Sequence, residues 1–111
     1  MRTPHSITVQ DDGPVTQLRL RGEIDVALRD QAGRALATAL TRGAPVRVDL
    51  GEVTFIDSAG VAFLVQCHRA CTQAELDCVL VDVPDQAMKV LEMLGLTSVL
   101  TIERSAESVR G

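Results

Sequence analysis

VRVDLGEVTFIDSAGVAFL, residues 46–64, changes its hydrophobic period in mid-course. Val46, Val48 and Leu50 alternate with Arg47 and Asp49, a period of two that suits a short strand and not a helix. From Ser58 onward, Gly60, Val61, Leu64, Cys67, His68 and Cys71 fall along one helical stripe, so this face is expected to pack on a sheet. Residues 51–57, between the two patterns, are expected to form a loop. Strand, loop and helix in this order are the unit from which α/β folds are assembled.

Upstream lies a hairpin followed by a helix. Residues 5–10 form a first strand, and Asp11-Asp12-Gly13-Pro14 supplies a turn, because Gly accepts positive φ and Pro fixes φ. From Val15 to Gly22, Leu18 and Leu20 alternate with Gln17, Arg19 and Arg21, so one face of a second strand is buried and the other wet. Asp25 precedes Leu28, Ala32, Ala35, Leu36, Ala39 and Leu40 at helical spacing and can cap that helix, which Gly43 and Pro45 end. Downstream, residues 77–83 hold the unbroken apolar run Cys78 to Val81, as a parallel strand covered on both faces would. Pro84 and Asp85 open a helix in which Ala87, Val90, Leu91 and Leu94 share a side, Gly95 ends it, and Ser98 to Ile102 make a last strand before a polar tail. The order predicts one α/β domain over residues 1–111, with three main helices and a mixed five-stranded sheet. An antiparallel opening pair leads into right-handed parallel crossovers.

Composition removes several function classes. The chain of 111 residues fits the ~100–150 typical of a single domain. At 46% hydrophobic and 23% charged it can bury a core without metal or disulfide staples. Fifteen acidic against eleven basic residues give a net charge of −4, which offers no positive field to nucleic acid or anionic membrane. Phe55 and Phe63 are the only aromatics, too few for base stacking. No run approaches the ~18–20 apolar residues of a membrane span, and the N-terminal MRTPHSITVQ lacks a signal peptide's apolar core, so a cytoplasmic protein without membrane insertion is expected.

Three cysteines, Cys67, Cys71 and Cys78, are an odd number, which fits reduced thiols better than a bridge framework. Cys67 and Cys71, with His68 between them, invite a zinc reading; yet such sites usually take four ligands, the only other histidine is the distant His5, and small buried core residues account for the spacing. No metal and no cofactor are expected, since neither G-x-x-x-x-G-K-[ST] nor G-x-G-x-x-G occurs. Asp49, Asp57, Asp82 and Asp85 fall at or near the C-terminal ends of the expected parallel strands, where a cation could bind, but ordinary cap and loop duties are the better account of them.

Asp57-Ser58-Ala59-Gly60 sits at the strand-to-helix junction. There a short polar side chain can accept the first-turn amides, and a hydroxyl, once phosphorylated, would meet the positive end of the helix dipole. A phosphate of charge ~−2 about 5 Å from the Asp57 carboxylate is repelled by roughly 1–2 kcal/mol in water. The helix end returns ~0.3–1 kcal/mol, at most about 2. The fold should therefore tolerate the phosphate, whereas burying it under a partner costs several times more. Ser58 as a catalytic nucleophile lacks a base: His68 is ten residues on, ~15 Å along a helix axis, so no enzymatic activity is expected.

With these residues in view, VRVDLGEVTFIDSAGVAFL resembles the signature of STAS-domain anti-sigma factor antagonists. Gly22-Glu23-Ile24-Asp25 is similar to that family's glycine-acidic-hydrophobic-aspartate element, and Leu94-Gly95-Leu96 to its glycine after the third helix. The resemblance implies a STAS fold and a partner-switching cycle. The unphosphorylated chain would bind a serine-kinase anti-sigma factor, the kinase would phosphorylate Ser58, and a metal-dependent serine phosphatase would restore the chain. It further implies that Asp57 orients or borders the acceptor and that Gly60 lets the partner or the sheet approach the helix start. Gly22, Glu23 and Asp25 would line the same docking face. Many members carry a second serine where this chain has Ala59. The alternative reading is a STAS subunit of a membrane transporter for lipids or anions, and a third is a scaffold unit of a stress-sensing assembly.

Overall fold

A computed structural model describes residues 6–105. Strand β1 (Ser6–Asp12) turns through Gly13 and Pro14 into β2 (Val15–Ile24), and the two pair antiparallel with Asp12 opposite Val15. A 3₁₀ turn over Val26–Leu28 leads into α1 (Arg29–Thr41), then β3 (Val46–Ile56), α2 (Ser58–Gln73), β4 (Cys78–Val81), α3 (Asp85–Met93) and β5 (Thr101–Glu103). The sheet runs β1-β2-β3-β4-β5, and every pair after the first is parallel. The mixed five-stranded sheet and three helices are those expected from the order of periodicities.

Period two decides what faces inward. On β2, Thr16, Leu18, Leu20 and Ile24 are buried, while Gln17, Arg19 and Arg21 point to the open face. On that face Arg19 pairs with Asp49 at 3.6 Å, Arg21 with Glu52 at 2.6 Å and Arg47 with Glu103 at 3.7 Å. The inward residues of the sheet meet Ala32, Ala35, Leu36 and Ala39 of α1 and Val61, Leu64, Cys67 and Cys71 of α2. Each fully buried leucine of this core, among them Leu18, Leu20, Leu50, Leu64 and Leu80, contributes roughly 1.5–3 kcal/mol. Arg42, just past α1, ties the hairpin down: it donates to the carbonyls of Val15 at 2.9 Å and Gly13 at 3.2 Å and to the Thr16 hydroxyl at 2.6 Å, and it pairs with Asp11 at 2.9 Å.

Several boundaries differ from the sequence reading, and the first is that β1 runs on through Asp11 and Asp12, which the sequence places in the turn but which pair with Thr16 and Val15. Residues 51–56 are not a loop but the second half of β3. Between Arg19 and Arg21, and again between Gly22 and Glu23, β3 carries one residue more than β2, and these bulges erase the alternation that marks a strand. β2 correspondingly continues past Gly22 to Ile24. Asp25 caps the 3₁₀ turn rather than α1 itself, whose N-cap position is Leu28. β5 is confined to 101–103, because Val99 and Leu100 donate back to the Leu96 carbonyl in a turn. β4 is less covered than its apolar run suggests, since Val79 is half-buried. His5, read as the first residue of β1, lies outside the described residues.

Candidate functional site

Two adjacent strands end in the same way. Ile24 of β2 and Ile56 of β3 pair in register, and each is followed by an aspartate in extended conformation. The Asp25 Oδ1 accepts the Ala27 amide at 3.0 Å and its carbonyl accepts Leu28 N at 3.0 Å. The Asp57 Oδ1 accepts the Gly60 amide at 3.0 Å and its carbonyl accepts Val61 N at 2.9 Å. Asp57 N donates to the Ile24 carbonyl at 3.2 Å, so the start of α2 is stitched to the end of β2.

Asp57 is thus the N-cap, and Ser58, which the sequence offered as an equal candidate for that duty, is the first residue of α2. With capping assigned to its neighbour, the Ser58 hydroxyl stands exposed at the helix end. A group attached there lies beside first-turn amides that have no acceptor within the helix, and beside a carboxylate already spent on one of them.

The two glycines have a different role. Gly60 is buried, and a β-carbon added to it would collide with the Ile56 side chain and come within 2.8 Å of the Ile24 carbonyl. Of the two approaches considered for Gly60, the contact present is with the sheet. Gly22 is also buried, with φ +78°, at the second β3 bulge, where it turns Glu23-Ile24-Asp25 toward the start of α2. Glycines 22 and 60 therefore shape the backbone, while Glu23 and Ser58 are exposed and Asp25 and Asp57 half-buried at the surface.

Sequence reasoning missed what flanks this corner. α2 is a ridge between two apolar grooves. One, of about 380 Å³, lies against α1 and the 3₁₀ turn and is lined by Ile24, Val26, Leu28, Ala59 and Phe63, with Asp25 and Arg29 at its edge. The other, of about 710 Å³, begins at Ser58 and runs between α2 and α3 past Val61, Val65, Val90, Leu94 and Leu96 to Arg69. Leu94, expected on the buried side of α3, is 62% exposed, and Met93 beside it is 85% exposed. The missed signal was register: Leu94 follows the last helical turn and Gly95 at φ +72° redirects the chain, so the 3.6 period no longer applies.

The remaining candidates resolve into local duties. Asp49 accepts from Gly51 N at 2.9 Å and Gln17 Nε2 at 3.1 Å, and Asp82 accepts Ser105 N at 2.8 Å. Asp85 lies in the first turn of α3. Among the described residues no three of His, Cys, Asp and Glu gather as a metal site, and no helix is long and apolar enough to cross a membrane. His68 and Ser58 share α2, about 15 Å apart along its axis.

Comparison with known proteins bears on the fold and the family. An anti-sigma-B factor antagonist of Listeria monocytogenes is 28% identical over 91 residues, covering 81% of this chain and 80% of its own. An anti-sigma factor antagonist of Mycobacterium paratuberculosis has a similar structure, with a TM-score of 0.78 at 18% identity over 95% of this chain and 90% of the other. The Bacillus cell fate determinant SpoIIAA in its phosphorylated form matches with a TM-score of 0.73 at 20% identity, covering 94% of this chain and 96% of its own. Its unphosphorylated form matches at 0.71, with 20% identity over 96% of this chain and 99% of its own. Residues 7–102, from β1 into β5, match the family described as Mlab, STAS domain, and the chain belongs to that family.

Proposed function

We propose that this chain is an anti-anti-sigma factor that binds and sequesters a serine-kinase anti-sigma factor, and that phosphorylation of Ser58 switches the binding off. The observation that carries the reading is the division of labour at the head of α2: Asp57 caps the helix and Ser58 stands exposed at the rim of an apolar groove. A kinase can reach that hydroxyl without unfolding anything, and a partner seated on the groove covers it. The relatives named as anti-sigma factor antagonists support the same reading, as does SpoIIAA, whose phosphorylated and unphosphorylated forms both share this fold.

In the cycle, the partner kinase transfers the terminal phosphoryl of ATP to Ser58 Oγ and releases ADP. The added charge of ~−2 beside Asp57 cannot be buried in the interface except at a cost of several kcal/mol, and about 2.7 kcal/mol already weakens binding a hundredfold. The complex separates, and a serine phosphatase hydrolyses the ester and restores the docking surface. Asp57 immediately precedes the acceptor and Glu23 and Asp25 lie at the end of the neighbouring strand β2, while Gly22 and Gly60 hold the backbone in place.

The test uses a serine-kinase anti-sigma factor that co-purifies with the unphosphorylated chain. With ATP it should add one phosphate to the wild type, found by mass spectrometry in the tryptic peptide 48–69, and none to Ser58→Ala. Ser58→Asp should keep its circular dichroism spectrum and bind the kinase at least about tenfold more weakly, a change of ~1.4 kcal/mol. The same phosphate on Ser58→Ala, or unchanged affinity of Ser58→Asp, rejects the mechanism. Recovery of a transporter ATPase in place of a kinase rejects the function.

A further inference from the structure

Ser58, Ala62, Val65 and Arg69 recur along α2 at spacings of four, three and four, so they form one stripe that climbs three turns, about 16 Å of helix. All four line the groove between α2 and α3. Ser58, Ala62 and Arg69 are exposed, and Val65 is half-buried. Arg69 makes no ion pair with any described residue. The stripe therefore carries a hydroxyl at one end, a free cation at the other and small apolar side chains between.

Such a stripe is its own complement. Turned end for end about its midpoint, it sets Ser58 against Arg69 of a second copy and Ala62 against Val65 of that copy, and each contact occurs twice, as a two-fold interface requires. The short Ala62 side chain permits the ~8–10 Å approach of packed helices. Leu94, 62% exposed on the opposite wall, supplies further apolar surface to the same contact.

We propose that the chain phosphorylated on Ser58 pairs with a second phosphorylated copy through antiparallel α2 helices, each phosphate bound by Arg69 of the other copy. The inference rests on the phosphorylation proposed for Ser58 and extends it to what the modified form does. In the unmodified chain each guanidinium would face a hydroxyl, with the Asp57 carboxylate offset by the positive end of the helix dipole, and little holds the copies together. A phosphate changes this, because a guanidinium binds it through two parallel N–H donors. The two phosphates of the dimer stand about 16 Å apart, beyond the ~8 Å screening length at physiological salt, and barely repel each other. A charge that bars a partner with no facing cation is thus accepted by a surface that brings one. Phosphorylation exchanges one occupant of the groove for another, and the dimer keeps the groove covered while the kinase is off.

The full chain is prepared with phosphoserine inserted at position 58 during translation, so that no kinase is involved. Sedimentation velocity over a concentration series should show self-association at least about a hundredfold tighter than that of the unmodified chain, since each of the two phosphate–arginine contacts is worth about tenfold or more. Arg69→Glu, an exposed substitution that should leave the circular dichroism spectrum unchanged, should return the phosphorylated chain to monomer. A phosphorylated chain that stays monomeric overturns the proposal. So does equal dimerisation of both forms, or a phosphorylated dimer that survives Arg69→Glu. Because the phosphate is built in, any of these results counts against the dimer alone, whereas a kinase that fails to modify Ser58 counts against the partner-switching function.

Discussion

Gly60 has no side chain because two elements meet where one would go. An alanine there gains about 1 kcal/mol of helix propensity, but overpacking, which typically costs ~1–3 kcal/mol, falls at ~2–3 here because one of the groups it meets is the Ile24 carbonyl at 2.8 Å, which cannot rotate aside. Gly60→Ala should therefore lose about 1–2 kcal/mol of stability and melt roughly 5–10 °C lower in thermal circular dichroism. An equal or higher melting temperature would mean that α2 shifts off the end of β2 without penalty. At this scale the sequence was informative about which residues matter and less so about which does what. Asp57 and Ser58 are both good caps, and only the path of the backbone, extended at Asp57 and helical from Ser58, assigns the duty. Gly60 was legible as a glycine at a helix start, but its neighbours Ile24 and Ile56 come from different strands and no local pattern names them.

Elements were legible where one period held and illegible where two competed. The helices and the first half of β3 follow clean 3.6 and 2.0 repeats; the second half of β3 carries two bulges, so a strand that pairs through Ile56 looked like a loop. That extension brings Asp57 beside Ile24, and so the corner exists because the bulges let β3 keep pairing with β2. The groove between α2 and α3 was hidden for a related reason, since Leu94 lies past the end of the helical repeat. If the proposed partner seats on this groove, Leu94→Lys should weaken binding at least about tenfold, while a residue 62% exposed should change stability by no more than ~0.5 kcal/mol. Titration calorimetry beside a melting curve measures both. Unchanged affinity would move the docking surface to the α1 side of the ridge.

Over the whole molecule, stability and the proposed switching draw on different surfaces. The core lies between the helices and one face of the sheet, whereas the ion pairs Arg19–Asp49, Arg21–Glu52 and Arg47–Glu103 lie on the opposite, open face, where each is worth ~0–1 kcal/mol. Phosphate on Ser58 touches neither. Its repulsion from Asp57, roughly 1–2 kcal/mol, opposes a helix-end gain of ~0.3–1 kcal/mol. Part of that repulsion persists on unfolding, because the two residues are adjacent in sequence, so the net effect on stability falls below about 1 kcal/mol. The stoichiometrically phosphorylated chain should thus melt within about 5 °C of the unphosphorylated one while its affinity for the kinase falls at least about a hundredfold. Added salt should leave the melting temperature of either form nearly unchanged. A phosphorylated chain that melts more than ~10 °C lower would place the switch in the fold, and would show that the corner formed by Ile24, Asp57 and Gly60 opens when Ser58 is modified.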